Sequence, residues 1–583
     1  NNDEQTMKST VKCDIYLAKS TIANAGLGLF VGSEKDAGDI LGPGDVAIPI
    51  IDIEHRHYQE GEEEDYFDIF TDYKWNGNVL GMDQESSYDD VGAFVPGLDC
   101  AVNCNSALIN IGMSLPSWDD DSSQSTGMHR SDSPGAGAIT PYYNCTSKVK
   151  AHIPAGGELF KYYGDAYFTT RNEEFGKSPL RGNYMEAEEI CKNWMALNTT
   201  DTIKDSIWKD IIGNKLILPR SSRTANALPT NSQQARKVAS SGIRSIQQPA
   251  TRSLQDLETE GRCQDNIIHG ISTIPHAGRG AFASRPLKKD DIISGSPLFH
   301  IPNQSEFTQM YNNNYDKKVG TRRQLLVNYC WGHVDVSDLL LCPYGAGVNF
   351  INHRRRPNVR IRWAPHGTIS QNNSWFDLSP AEMTIYKINL AFDYVAVRDI
   401  DINKELFLDY GEAWEKAWKE HTQQFYQRQQ EDKNNNNTSS SYAAAETWNH
   451  RMAPLRTVQE QQDDPYPVNI LIRCKKKIVN EMYLQKIRKD PTKKLFKISD
   501  KGMPCKIIKR YTANKRDLYY VEFTILERRA LRKSVPRNAI QFIDVYYSTD
   551  IHLKDAFRFS PQLPDDIIPD AWKKKIMKKE QTK

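Results

Sequence analysis

Four short stretches of this chain could handle a ligand, and three of them fall between residues 278 and 411. Gly278 and Gly280, in Gly278-Arg279-Gly280-Ala281-Phe282, let main chain approach a ligand where a Cβ would collide. Most Gly-x-Gly pairs are only turns, so this one is weak by itself. Asn352 and His353 close the apolar run Asn349-Phe350-Ile351 and precede Pro357-Asn358; read alone, they are a strand end with a capped turn. Glu405-Leu406-Phe407-Leu408-Asp409-Tyr410-Gly411 supplies a hydroxyl at Tyr410 that can hold a reacting group and assist loss of a proton. The bland alternative is a core tyrosine with a satisfied hydroxyl. Trp414 and Trp418 follow at i,i+4 spacing, on one helical face.

The elements that must position these groups occur twice. Gly26-Leu27-Gly28-Leu29-Phe30 and Glu158-Leu159-Phe160-Lys161-Tyr162-Tyr163-Gly164 repeat the opening and closing motifs at nearly the same internal spacing. Two separated motifs recurring at one offset predict two related domains. Short β-rich runs punctuated by glycine predict that each is built on sheet. The first copy keeps its glycines and Tyr163 but has Asn103 without an adjacent histidine. It also carries Lys161 where the second has Leu408, and Tyr162 where the second has Asp409.

A Gly-x-Gly start, a Phe-Ile-Asn-His stretch and a Glu-Leu-x-x-Asp-Tyr-Gly end together resemble a SET domain, a family mainly of protein-lysine methyltransferases. The resemblance implies S-adenosyl-L-methionine as cofactor, no catalytic metal and a lysine side chain of a protein substrate. It implies cofactor contacts at Gly278, Arg279, Gly280, Asn352, His353 and Trp414, with Tyr410 as the catalytic residue. Leu408 stands where many members have an aromatic that tunes the number of methyl groups added. Arg354-Arg355 replace the usual Ser-Cys, which bears on local packing and substrate fit. Lys161 would oppose an incoming lysine, so the first copy reads as a degenerate packing or docking partner. The competing reading of the whole is a non-catalytic SET scaffold that binds proteins, with a basic tail for an acidic partner or nucleic acid.

The expected fold class is α+β. A first SET-like domain spans 11–180 and contains a Ser-, Asp- and Gly-rich insertion from Trp118 to Gly137. A helical connector follows over 181–262, with helices around Met185–Ile190, Ile203–Ile212 and Ser253–Glu260. The second SET-like domain spans 263–421 and a disordered Gln/Asn-rich linker 422–467. A basic β-rich domain of small-barrel type over 468–572 and a basic tail over 573–583 complete the chain.

The net charge of +1 hides polarity. Residues 1–140 hold 25 Asp/Glu against 7 Lys/Arg, and residues 471–583 hold 29 Lys/Arg against 13 Asp/Glu. The tail therefore either docks on the acidic end or meets an acidic partner. Lysine runs such as Lys475-Lys476-Lys477 make nucleic-acid phosphates a weaker alternative. Ten scattered cysteines form no CxxC pair, and nothing answers Cys100 and Cys104, so structural zinc is not expected. No apolar run reaches the roughly 18 residues of a membrane span. The start at Asn1 and sequons such as Asn144-Cys145-Thr146 point to a secretory or organellar route, with the nucleus or cytoplasm as the alternative.

Overall fold

The structure, a computed structural model, describes residues 13–51, 73–77, 91–118, 133–213, 222–301, 323–367, 373–378, 390–434, 445–450, 454–463, 470–475, 502–514, 516–525, 528–544 and 555–572, with residues 369, 382 and 466 between them.

Each unit opens with an antiparallel hairpin. Ile15–Lys19 pairs with Leu27–Val31, from Ile15 opposite Val31 to Lys19 opposite Leu27. Ile267–Ile271 pairs with Arg279–Ala283, from Ile267 opposite Ala283 to Ile271 opposite Arg279. Both loops reach the left-handed region at matching places, Asn24 and Gly26 in one and His276 and Gly278 in the other. Glycine meets that conformation without a Cβ penalty.

The acidic residue of each closing motif ties its hairpin loop down. Glu158 accepts from Ser20 Oγ at 2.6 Å and the Thr21 amide at 2.8 Å. Glu405 accepts from Ser272 Oγ at 2.6 Å and the Thr273 amide at 2.7 Å. One asparagine then clamps each closing strand: Asn110 bonds the Phe160 amide and the Glu158 carbonyl, and Asn358 bonds the Phe407 amide and the Glu405 carbonyl. Asn352–His353 runs parallel to Phe407–Leu408, and Asn103 makes a parallel bridge to Phe160.

The second unit is organised by a five-stranded antiparallel sheet in the order Trp331–His333, Val336–Pro343, Ile292–Ile301, Ala391–Ala396, Val359–Trp363. Its core is continuous with that of the first unit: Val46, Ile48, Phe94 and Tyr142 pack in one buried cluster with Phe299, Leu340 and Phe392. A disulfide between Cys13 and Cys263 joins the start of the first unit to the start of the second. A second disulfide, Cys330–Cys342, lies within the second unit.

Helices Arg181–Met195 and Asp201–Gly213 occupy the expected connector and bury Trp194 against Trp208 at 4.9 Å between centroids. Helix Leu254–Glu260 begins at Ser253, whose hydroxyl accepts from the Asp256 amide as an N-cap does. The polar stretch between them holds two further helices, Ser222–Ala227 and Ser232–Ser241.

Three expectations are corrected. The linker expected from residue 422 begins as helix, because Glu412–Asn434 is continuous. Gln, Glu, Lys and Arg are good helix formers, and Phe425 is buried. The Asn435–Asn437 and Ser439–Ser441 runs lie outside the described residues. Secondly, the end of the expected mobile insertion is buried, with Ser133 to Gly137 packed under the second unit, while 119–132 fall outside the described residues. Thirdly, the segment 555–572 does not belong with the C-terminal sheets. It returns to the second unit, where Leu563, Ile568 and Trp572 join the core and the Gln562 amide donates to the Tyr410 carbonyl.

The C-terminal unit has two three-stranded sheets around one core. One is Met503–Pro504, Ile470–Cys474 and Ile540–Asp544; the other is Lys506–Ala513, Arg516–Ile525 and Arg528–Pro536. The expected turn at Ala513-Asn514 is present, with Asn514 at φ 53. The basic tail 573–583 lies outside the described residues. No described helix is long and apolar enough to cross a membrane.

Candidate functional site

The hairpin loop Ile274–Arg279, the Asn349–His353 turn and the Leu408–Trp414 segment converge on one cavity of about 220 Å³. Gly278, Arg279, Asn352, His353, Leu408, Tyr410, Trp414 and Trp418 line it. Gly280 does not. A Cβ there would stand 2.2 Å from Glu405 Oε1, as one on Gly28 would from Glu158 Oε1. The second glycine of each pair is therefore required by the clasping carboxylate behind the wall, not by approach to a ligand. Gly278 is the wall residue, at φ 67.

Asn352 donates from Nδ2 to the Arg279 carbonyl at 2.9 Å, tying the hairpin to the Asn-His turn. His353 accepts the Tyr410 amide on Nδ1 at 3.0 Å, which leaves its proton on Nε2, 3.7 Å from Glu415 Oε1. Burial pushes the His353 pKa down, with Asp409 and Glu415 opposing. Glu415 itself is held low by its hydrogen bond to Arg355. His353, Tyr410 and Trp414 form a ring cluster with centroids 5.0–5.5 Å apart.

Tyr410 donates its hydroxyl to the Ile351 carbonyl at 2.5 Å, and burial pushes its pKa up. It is a protonated donor at neutral pH. It can orient an acceptor or polarise a neighbour, but it is no phenolate base. Tyr329 and Tyr394 line the same cavity and are raised by burial too. Among the described lining residues there is no aspartate or glutamate.

At the position that lines up with Leu408 in the closing motif, the first unit carries a paired lysine. Lys161 is buried, donates to the Asp99 carbonyl and to Asp99 Oδ1 at 3.1 Å, and lies 4.0 Å from the Trp75 ring centroid. Burial pushes the Lys161 pKa down and Asp99 opposes. Tyr163 still donates to the Val102 carbonyl, as Tyr410 does to Ile351.

Several site residues escaped the sequence reading. Asn328, Tyr329, Trp331 and Tyr394 carry no motif, and only the sheet brings them to the cavity. The wall also takes Gly135 to Tyr143 from the first unit, and Phe557 and Pro561 from the C-terminal segment. One signal was legible: Ser20-Thr21-Ile22 and Ser272-Thr273-Ile274 repeat in step with the glycines and supply the donors to Glu158 and Glu405.

Residues 278–411 match the sequence model of the SET domain. A candidate histone methyltransferase of Plasmodium falciparum is 21% identical over 26% of this chain and 96% of its own, with a TM-score of 0.16. Chaetomium thermophilum polycomb repressive complex 2 is 16% identical over 25% of this chain and 15% of its own, at 0.17. An autoinhibited form of that complex bound to S-adenosylmethionine is 15% identical over the same shares, also at 0.17. No curated protein sequence matches the chain. The family match and its motifs together identify residues 278–411 as a SET domain.

Proposed function

We infer that the cavity of the second unit serves S-adenosyl-L-methionine-dependent methyl transfer to a lysine side chain of a protein substrate. The single observation that carries this is the convergence of Gly278, Asn352, His353 and Tyr410 on one cavity that no carboxylate lines among the described residues.

The residues present fit the cofactor. Gly278 gives close main-chain approach, the Asn352–Arg279 bond fixes the loop, and Trp414 offers an aromatic face. When bound, S-adenosyl-L-methionine supplies the methyl group on a sulfonium. The chain must hold the amine in line and keep it neutral. Desolvation without a nearby anion disfavours the ammonium form of a lysine. Lys161 illustrates this inside the same protein, its pKa pushed down by burial even with Asp99 beside it. Tyr410, as a protonated hydroxyl fixed on Ile351, holds the geometry at the reacting end.

The matched clasps, asparagine clamps and tyrosine bonds support reading the first unit as a second, degenerate SET-like copy. Its Lys161–Asp99 pair stands where a substrate lysine would go, which favours a packing role. The alternative is a binding scaffold without turnover. Exposed Lys506, Lys509, Arg529 and Lys533 on the C-terminal sheet suit an acidic partner in either reading.

Calorimetric titration of the full chain with S-adenosyl-L-methionine tests the proposal. Micromolar binding that weakens on Asn352→Ala or His353→Ala is expected, with cooperative unfolding retained. No binding by the wild-type protein leaves the scaffold reading.

A further inference from the structure

The wall of the cavity is not built by the SET unit alone. The segment 133–143 of the first unit lies along it and is fastened at several points. The Thr140 amide donates to Tyr329 Oη at 2.8 Å, and Asn328 Nδ2 donates to the Ala138 carbonyl at 2.9 Å. His421 bonds the Pro134 carbonyl at 2.7 Å, and Arg558 donates to the Gly137 carbonyl at 2.6 Å. Four attachments from three parts of the chain make this a fixed wall.

At its end stands Tyr143, which also lines the cavity. The Arg279 guanidinium carbon lies 3.3 Å from the centre of the Tyr143 ring. A cation that close to an aromatic face is attracted by the ring quadrupole, more strongly where water is excluded. A guanidinium held over the ring presents its N–H donors as a positioned planar fork, which suits a carboxylate acceptor. Arg279 is the one Lys or Arg among the described lining residues.

We propose that the first unit completes the ligand site of the second, with Tyr143 as a positioning residue that holds the Arg279 guanidinium against an anionic group of the ligand. This rests on the cofactor reading above, in which that group is the carboxylate of S-adenosyl-L-methionine. It gives the degenerate unit a role in binding.

The test compares S-adenosyl-L-methionine with its decarboxylated analogue by calorimetry on the full chain. Tyr143→Leu should weaken the carboxylate-bearing ligand roughly tenfold and leave the analogue unchanged. Tyr143→Phe keeps the ring and should behave as wild type. A fluorinated phenylalanine at 143 keeps the shape but depletes the face of electrons, and should reproduce the Leu result even if Tyr143→Leu fails to fold. Equal losses for both ligands, or none for either, would overturn the role of Tyr143 while leaving the cofactor reading intact. A wild-type protein that binds neither ligand would remove the cofactor reading, and this inference with it.

Discussion

The two units hold their closing motifs with the same atoms but carry different side chains beside them. Glu158 and Glu405 each collect a serine hydroxyl, a threonine amide and a threonine hydroxyl. Asn110 and Asn358 each bond the same two main-chain positions. Past that point they diverge. Where the second unit has Leu408 beside an open cavity, the first has Lys161 paired with Asp99; where the second has His353, the first has Cys104. The clasp fixes the main chain of each closing motif against its hairpin loop. The side chains beside the closing motif can change without disturbing that clasp.

The largest effect should come from breaking the Lys161–Asp99 pair. Asp99→Ala strands a buried lysine, and loss of one partner of a buried pair costs about 3–5 kcal/mol. Denaturant unfolding should show that drop, and a change below about 1 kcal/mol would mean that Lys161 reaches water.

Next come the shared glycines. Gly28→Ala and Gly280→Ala each push a Cβ to 2.2 Å from a clasping carboxylate, and overpacking of this kind costs about 1–3 kcal/mol. Similar losses in thermal scans would sharpen the correspondence. A tolerant Gly280 beside an intolerant Gly28 would break it.

Tyr410→Phe removes one hydroxyl and little volume. Methyl transfer should fall by at least about tenfold, whereas Tyr163→Phe should leave it nearly intact. Equal losses in a radiolabelled methyl-transfer assay would make both units catalytic.

The smallest effect concerns pH. Burial lowers the His353 pKa, so the folded state resists protonation that the unfolded chain accepts near pH 6.5. Protons at His353 then favour the unfolded state, so this residue's contribution to stability falls as pH drops below about 6.5, while the buried Asp45 carboxyl, raised to about 8, contributes with the opposite sign. Comparing stability against pH for wild type and His353→Gln should show the His353 contribution removed and that of His421, whose pKa burial also lowers, retained. The Cys104 thiol is raised by burial and adds no slope in that window.

The opening hairpins were legible because their glycines, serines and acidic residues bond within one unit and recur in step. Gly280 was misread because a missing Cβ does not say which neighbour needs the space; Glu405 lies 125 residues away. The helix running to Asn434 was missed because polar composition resembles a linker, and only the burial of Phe425 distinguishes them. Nothing local to residues 555–572 shows that they leave the C-terminal sheets for the SET core.

The sequence by itself determined that a SET domain is present, that a related set of motifs precedes it, and that Lys161 and Leu408 differ at matched places. Those features depend on residue type and on spacing along the chain. Only the tertiary structure decided that the cavity takes a wall from the first unit and an edge from the C-terminal segment, and that Tyr143 meets Arg279. Such contacts bring together segments 136 to 421 residues apart. Their register follows from how two sheets share one apolar core, and a core of that kind constrains volume and apolarity without recording in the sequence which surfaces meet.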